Sequence, residues 1–144
     1  MKQVTQWFVE QGWQPQAFQK ECWKAYTQGL NGMLHAPTGS GKTYALWGGI
    51  IQEAFHVKKH PTGIQALWLT PLRALAIEIQ QATQRMTSDL TPELQVGLRT
   101  GDTSQSERSK QKQNPSFGLV TTPESLHLLL STKEHQKQFK HLKV

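Results

Sequence analysis

The stretch HAPTGSGKTY, residues 35–44, decides the fold of this chain. The apolar segment GMLHAP (32–37) leads into it and predicts a buried strand, while GKTYALWGGIIQEAFHV (41–57) predicts a helix that begins at the loop. Glycines between a strand and a helix let backbone N–H groups turn inward, and the helix N-terminus adds positive potential. The stretch therefore predicts a loop that binds the phosphates of a nucleotide.

The residue types in this loop suit a magnesium-bound nucleoside triphosphate. We expect Lys42 to reach the β- and γ-phosphates of ATP and the Thr43 hydroxyl to ligate Mg²⁺. These two are the candidate catalytic residues, and Thr43 is the candidate metal ligand. Ala36 stands where such loops usually begin with glycine, and alanine fits there if its φ is negative. The predicted phosphate-binding residues are Thr38, Gly39, Ser40, Gly41, Lys42 and Thr43.

Two residues upstream of the loop are candidates for the nucleotide base. Gln19 lies in GWQPQAFQ (12–19), at the start of a predicted helix, and a glutamine amide can both donate to and accept from the edge of adenine. Trp13 could stack on the base, although a tryptophan in such a segment is also typical of a hydrophobic core. We predict both as cofactor-binding residues and leave the core alternative open for Trp13.

The rest of the chain alternates between predicted helices and strands. Helices are predicted over residues 3–11, 16–29, 72–86 and 123–131, with a short one from Ser104, where Ser104 and Glu107 have capping-box spacing. Thr122 is the candidate cap of the helix that starts at Pro123. Further strands are predicted over 64–71, 94–100 and 117–122, and a loop over 88–93. This alternation predicts an α/β fold in which helices cover both faces of a parallel sheet.

Three predicted strands end in similar polar turns. These turns are TPLRAL (70–75), RTGDT (99–103) and TTPESL (121–126). Hydroxyls, helix N-termini and arginines are the groups with which proteins grip a sugar–phosphate backbone. Each turn by itself is also typical of an ordinary capped turn. Because ligands bind beyond the carboxyl ends of parallel strands, the three together predict a nucleic-acid track on the edge that carries the phosphate loop.

Charge and composition agree with this interpretation without proving it. The 144 residues include 16 Lys+Arg and 10 Asp+Glu, for a net charge of +6, which favours an anionic partner such as nucleic acid. The basic segment after residue 132 is equally typical of a solvated helix face. The single cysteine excludes an internal disulfide, and no apolar run approaches the roughly 20 residues of a membrane span, so we expect a cytoplasmic protein.

The motifs APTGSGKT, TPLRAL, TGDT and TTPES, in this order, resemble the first RecA-like domain of superfamily 2 helicases. The longer pattern is most similar to the ligase-associated DEXH-box helicases, relatives of the large helicase-related proteins. The resemblance covers about residues 7–144. It implies a RecA-like P-loop NTPase fold and ATP-driven translocation on single-stranded DNA, with RNA a less favoured partner, in DNA repair.

The resemblance also implies roles for individual residues. Gln19 would read adenine, while Lys42 and Thr43 would serve phosphate and Mg²⁺. Residues 1–144 would form the N-terminal part of the first RecA-like domain, with 1–30 as a helical lead-in on the adenine side. The residues implied to lie on the DNA strand are Thr70, Pro71, Arg73, Arg99, Thr100, Gly101, Asp102, Thr103, Thr122, Pro123 and Glu124.

One departure from the family pattern limits the expected activity. The family carries an Asp-Glu-x-His motif that ligates Mg²⁺ and positions the attacking water, and no Asp-Glu pair occurs in this sequence. We therefore expect the N-terminal piece of a longer helicase, with little ATP hydrolysis of its own. The expected partners are the rest of the helicase chain, including a second RecA-like domain, and DNA-repair proteins such as a ligase.

Two other functions fit parts of the sequence. A small P-loop kinase has a similar length, but the chain contains no arginine-rich lid segment, and a small acceptor does not require three threonine-rich strand ends. A non-catalytic nucleic-acid-binding module would account for the basic C-terminal segment and for the missing Asp-Glu pair.

Overall fold

The computed structural model describes residues 2–144, which divide into two units. The first unit runs to His60 and includes Arg85–Pro92, while the second consists of Pro61–Gln84 and Glu93–Val144. The helices are α1 Lys2–Glu10, α2 Ala17–Thr27, α3 Lys42–Ala54, α4 Arg73–Leu90, α5 Gln105–Gln113, α6 Pro123–Leu130 and α7 His135–Gln138. The strands are β1 Ala66–Leu69, β2 Val96–Arg99 and β3 Gly118–Thr121. Across the described residues, each helix is too short or too polar to span a membrane.

In the first unit, helices α2 and α3 pack closely because two glycines leave room for aromatic rings. A Cβ on Gly48 would lie 2.4 Å from Nε1 of Trp23, and one on Gly49 would lie 2.9 Å from Cβ of Tyr26. The buried Trp23 indole donates to the backbone oxygen of Tyr44 over 3.0 Å. A larger residue in place of either glycine would force these helices apart, and so the glycines within α3 are packing residues.

Helix α4 begins at Arg73 and ends at Leu90, four residues beyond the end of the predicted range of 72–86. Its last turns are anchored by indole N–H groups, since Trp47 donates to the Thr87 hydroxyl over 3.0 Å and Trp7 to the Asp89 carboxylate over 2.7 Å. A buried tryptophan requires such a partner for its N–H. The prediction of a loop from residue 88 was therefore wrong by three residues, because tertiary contacts outweigh the polar composition of this segment.

The second unit contains a three-stranded sheet in the order β1-β3-β2, and both pairings are parallel. Ile64, Leu119 and Leu129 form its buried apolar cluster, against which Leu67 and Phe139 pack. The predicted alternation of strands and helices and the parallel pairing are confirmed. Each observed strand is shorter than its predicted range by two residues or more, with residues lost at both ends.

The predicted strand at residues 32–37 is not a strand in the structure. Met33 in its centre is 96% exposed. A strand is stabilised by hydrogen bonds to a neighbouring strand, and within the described residues this segment belongs to no sheet. Apolar composition alone was the basis of that prediction, and composition does not supply a pairing partner.

The starts of α5 and α6 differ in how they are capped. The Ser104 hydroxyl accepts from the backbone N–H of Glu107 over 3.2 Å, as the capping-box spacing predicts. Thr122 precedes α6 as predicted, but its hydroxyl donates to Oγ of Ser125 over 3.2 Å and makes no capping hydrogen bond. The predicted cap position of Thr122 is therefore confirmed, although its side chain makes no hydrogen bond to the start of the helix.

Candidate nucleotide and nucleic-acid sites

The phosphate loop has the backbone shape that its glycines predict. Gly39 has φ of 77° and Gly41 has φ of 85°, both in the left-handed region that glycine adopts without a steric penalty. Gly41 is the N-cap of α3, so Lys42 and Thr43 lie in the first turn of that helix. The first N–H groups of an α-helix lack intrahelical partners and are available to an anion.

The Lys42 side chain forms hydrogen bonds with the backbone of its own loop. Its ammonium donates to the backbone oxygens of Ala36 over 2.8 Å and of Pro37 over 2.7 Å. The loop is tightened further by the backbone N–H of Ser40, which donates to Pro37 over 3.3 Å. The Ser40 hydroxyl is buried and has no hydrogen-bond partner among the described residues. Its unused capacity fits an oxygen-rich ligand at this position.

Gln19 packs directly on the phosphate loop, as predicted for the start of α2. Its side chain is 3% exposed, its Oε1 accepts from the backbone N–H of Gln16 over 2.9 Å, and its Nε2 donates to the backbone oxygen of Gly41 over 3.1 Å. Each end of a glutamine amide can form two hydrogen bonds, so each keeps one for a further partner. The adenine-reading role of Gln19 stays a prediction.

Trp13 belongs to an aromatic cluster in the first unit. Its ring lies 5.7 Å from that of Tyr44 and 5.9 Å from that of Trp7, measured between centroids. The guanidinium carbon of Arg85 lies 5.6 Å from the Trp13 ring centroid in a cation–π contact. Trp13 is nevertheless 40% exposed, so part of the ring is accessible and base stacking stays a prediction. The packing alternative for Trp13 is the one with contacts in the structure.

In the second unit, the three polar turns meet at one edge of the sheet. Thr70, Thr100 and Thr122 directly follow the three paired strands, and they are 3%, 5% and 3% exposed. The Thr70 hydroxyl is buried without a partner among the described residues. The three threonine side chains therefore lie beneath the surface of this edge and support it. The predicted site residues that are exposed there are Pro71, Arg73, Gly101, Asp102, Pro123 and Glu124.

Arg73 and the loop Thr100–Thr103 are in direct contact. Nη1 of Arg73 lies 2.9 Å from Oδ1 of Asp102 in an ion pair, and the two side chains are 61% and 75% exposed. The same guanidinium lies over Gly101, where a Cβ would be 2.7 Å from Nη2. The structure thus joins the predicted residues of two separate motifs into one exposed patch.

The loop Thr100–Thr103 also contacts a residue that the sequence interpretation missed. Arg108 donates from Nε to the backbone oxygen of Thr103 over 2.9 Å, and from Nη2 to those of Thr100 over 3.4 Å and Gly101 over 3.3 Å. Partial burial, and then the positive charge of Arg108, lower the pKa of the Arg99 guanidinium. One signal in the sequence was available, because Arg108 lies in the first turns of the helix that immediately follows this loop.

Residues 16–144 match the family model described as DEAD/DEAH box helicase. The chain belongs to this family. The predicted resemblance to superfamily 2 helicases is confirmed, and the RecA-like α/β fold class is confirmed by the solved structures that this helicase chain resembles.

Curated relatives of this helicase chain include large helicase-related proteins. The Lhr helicase/probable uracil glycosylase of Mycolicibacterium smegmatis is 34% identical over 140 residues, which are 90% of this chain and 9% of the relative. The ATP-dependent helicase Lhr-Core of Sulfolobus acidocaldarius is 35% identical over 146 residues, which are 94% of this chain and 17% of the relative. The chain therefore spans less than a fifth of the length of either relative.

Solved helicase structures resemble the chain in three dimensions. The Mycobacterium smegmatis helicase Lhr bound to ssDNA and AMP-PNP superposes with a TM-score of 0.78 at 30% identity, over 97% of this chain and 19% of that one. The yeast DEAD-box splicing factor Prp28 gives a TM-score of 0.71 at 26% identity, over 90% of this chain and 31% of that one.

Proposed function

We propose that this chain forms the ATP-binding and nucleic-acid-binding part of an ATP-dependent DNA helicase or translocase that acts on single-stranded DNA. The observation that carries the proposal is the phosphate loop, with two positive-φ glycines and Lys42 at the start of α3. The first RecA-like domain would include residues 1–144, with residues 1–30 on the adenine side. The ATP-dependent helicase Lhr-Core of Sulfolobus acidocaldarius, a relative of this chain, supports the proposal.

In the proposed site, Lys42 binds the β- and γ-phosphates of ATP by exchanging its two backbone oxygen partners for phosphate oxygens. The exchange is favourable because a hydrogen bond from an ammonium to a charged oxygen is stronger than one to a neutral carbonyl. The partnerless Ser40 hydroxyl and the N–H groups at the start of α3 add neutral donors. Thr38, Gly39 and Gly41 would contact phosphate through the backbone.

The residues present also fit Mg²⁺. This ion is commonly held by one or two protein oxygens together with substrate phosphates, and the Thr43 hydroxyl beside the loop is such an oxygen. Among the described residues, no group of three or more acidic, histidine or cysteine side chains could hold a metal by itself. Mg²⁺ held there by Thr43 would neutralise charge on the phosphates. The other residues of the site would contribute by positioning the nucleotide.

The proposed adenine contact involves the spare hydrogen-bonding capacity of Gln19. Because Gln19 also donates to the backbone oxygen of Gly41, a base bound at Gln19 would affect the position of the phosphate loop. Trp13 would offer the exposed part of its ring to the base. This arrangement predicts that ATP binds more tightly than GTP, whose base presents an acceptor where adenine presents an amino group.

The proposed DNA contact lies at the exposed patch of the second unit. Arg73 would bind a backbone phosphate, with Gly101 and Thr103 nearby, and the phosphate would replace the Asp102 carboxylate of the observed ion pair. The charge of +6 favours such an anionic partner. The structure of the Mycobacterium smegmatis relative bound to ssDNA supports DNA as the ligand. This surface would be completed by the exposed Pro71, Pro123 and Glu124 and the half-buried Arg99. The buried threonines Thr70, Thr100 and Thr122 would support it from beneath.

We further infer that the chain alone hydrolyses ATP slowly, since it contains no Asp-Glu pair. Full activity would require the rest of a helicase, including a second RecA-like domain. A cytoplasmic role in DNA repair, with repair proteins such as a ligase as partners, is the context that fits DNA translocation.

The proposal is tested by two binding titrations and one turnover assay on the purified chain. A fluorescent ATP analogue should bind in the presence of Mg²⁺ and be displaced more readily by ATP than by GTP. A fluorescein-labelled oligodeoxythymidine should bind with an affinity that falls as salt rises. Failure to bind the ATP analogue would overturn the proposal. Rapid turnover stimulated by the oligonucleotide would refute only the inference of slow hydrolysis.

A further inference from the structure

We propose that Arg108 is a positioning residue that shapes the loop Thr100–Thr103 for contact with a nucleic-acid backbone, without itself binding a phosphate. The proposal rests on the proposed nucleic-acid role of this loop. It assigns a function to a residue of α5 that lies outside the three strand-end motifs.

The first support is the set of acceptors. One guanidinium donates to the backbone oxygens of Thr100, Gly101 and Thr103, over 3.4, 3.3 and 2.9 Å. Carbonyl oxygens that lie this close together repel each other electrostatically unless a donor lies among them. The planar fork of arginine can serve several acceptors at once in a fixed geometry, whereas a lysine ammonium is a compact point charge on a flexible stem.

The second support is the anchoring of the loop and of the helix that carries Arg108. The backbone N–H of Thr100 donates to Oγ1 of Thr103 over 2.9 Å, and that of Thr103 donates to the oxygen of Thr100 over 3.2 Å. The following helix is fixed by the Ser104 cap over 3.2 Å. Arg108 therefore reaches back from a capped helix onto a turn in which the Thr100 carbonyl accepts both from within the turn and from Arg108.

The third support is the contrast with Arg73, which contacts the same loop at Gly101 and Asp102. The Arg73 side chain is 61% exposed and its partner is an exposed carboxylate that a phosphate can replace. Arg108 is only partly exposed, and both Nε and Nη2 are occupied by backbone oxygens. Arg73 is therefore suited to bind a phosphate, and Arg108 is suited to hold the loop beside it.

The test compares Arg108→Lys and Arg108→Ala with Lys110→Ala, an exposed position on the same helix. Binding of fluorescein-labelled oligodeoxythymidine is measured over a series of salt concentrations. We expect both Arg108 variants to bind about 5- to 10-fold more weakly, since several hydrogen bonds to a charged group are lost. The slope of log affinity against log salt should stay at the wild-type value, because no phosphate contact is removed. Binding of the ATP analogue, measured as a folding control, should be unchanged in all three variants.

Two outcomes would overturn the proposal. A near-wild-type affinity for Arg108→Lys, together with a slope reduced by about 1 in Arg108→Ala, would mean that Arg108 binds phosphate directly. Unchanged hydrogen exchange at the amides of residues 100–103 in Arg108→Lys would mean that the arginine does not shape the loop. The exchange measurement requires no ligand. If the wild-type chain fails to bind the oligonucleotide, the proposed function fails, and the exchange data still decide the role of Arg108.

Discussion

The phosphate loop and the loop Thr100–Thr103 are both glycine-containing turns that lead into a helix, but their backbone shapes have different causes. The phosphate loop requires positive φ at Gly39 and Gly41, and its own Lys42 occupies the carbonyl side. In the other loop Gly101 has no positive φ, and Arg108 from outside the loop covers the carbonyls. The shape of the phosphate loop therefore depends on residues within the loop. The shape of the loop Thr100–Thr103 depends on Arg108, which lies about one helix turn beyond it.

The largest expected effect is the loss of ATP-analogue binding when Lys42 of the phosphate loop is replaced. Lys42→Ala should weaken binding of the ATP analogue by about 100-fold or more, because hydrogen bonds to charged groups contribute about 1.5–3 kcal/mol each. Fluorescence titration measures the loss. Lys58→Ala, an exposed lysine of the same unit, is the matched control and should bind normally. Normal binding by Lys42→Ala would refute the phosphate-loop assignment.

The next effect compares one glycine from each loop. Gly41→Ala should lower the free energy of unfolding by about 1–2 kcal/mol, because a residue with a Cβ resists φ of 85°. The new Cβ would also lie 2.6 Å from Nε2 of Gln19 and displace it. Gly101→Ala should cost far less, since its Cβ would meet only the flexible end of Arg73. Urea denaturation of both variants measures the difference, and equal losses would contradict the contrast between the loops.

A smaller effect is expected from Arg73, the exposed arginine that contacts the loop Thr100–Thr103. Arg73→Ala should reduce the slope of log affinity for oligodeoxythymidine against log salt by about 1, because one phosphate contact is lost. Its effect on stability should be slight, since both partners of its ion pair are exposed. Lys110→Ala serves as the control. An unchanged slope for Arg73→Ala would remove Arg73 from the proposed DNA contact.

The smallest effect lies outside both loops and tests the packing of α2 on α3. The Tyr26 hydroxyl donates to Oε2 of Glu53 over 2.9 Å, and burial, followed by this hydrogen bond and charge, raises the pKa of Tyr26. Because the pKa is higher in the folded chain, this contribution to stability is complete below the ordinary tyrosine pKa of about 10 and is lost as pH rises above it. Tyr26→Phe should lower the free energy of unfolding by about 1 kcal/mol at neutral pH and reduce this alkaline loss. Denaturation at pH 7 and above pH 10 measures both, and an unchanged alkaline loss would argue against the Tyr26–Glu53 contact.

Features that depend on neighbouring residues were predicted well. The start of α3 at the phosphate loop, the Ser104 cap and the parallel strands followed by polar turns all agree with the structure. Glycine spacing, capping chemistry and hydrophobic periodicity act over a few residues, and for that reason they can be read along the chain. The resemblance to superfamily 2 helicases rests on the same short motifs.

Features that depend on distant partners were missed. Residues 32–37 are as apolar as a buried strand, yet within the described residues they join no sheet. Helix α4 extends because Trp7 and Trp47 supply indole donors from elsewhere in the chain. No periodicity in the sequence signals these contacts.

The sequence by itself determined the phosphate loop, the alternation of helices and parallel strands, and the set of polar turns that follow the strands. Only the tertiary structure decided that the threonines at these turns are buried, that Arg73 pairs with Asp102 and that Arg108 covers the carbonyls of the loop Thr100–Thr103. The physical reason is that turn geometry follows from local backbone preferences. The partner of a side chain, in contrast, depends on which segments the folded chain brings together.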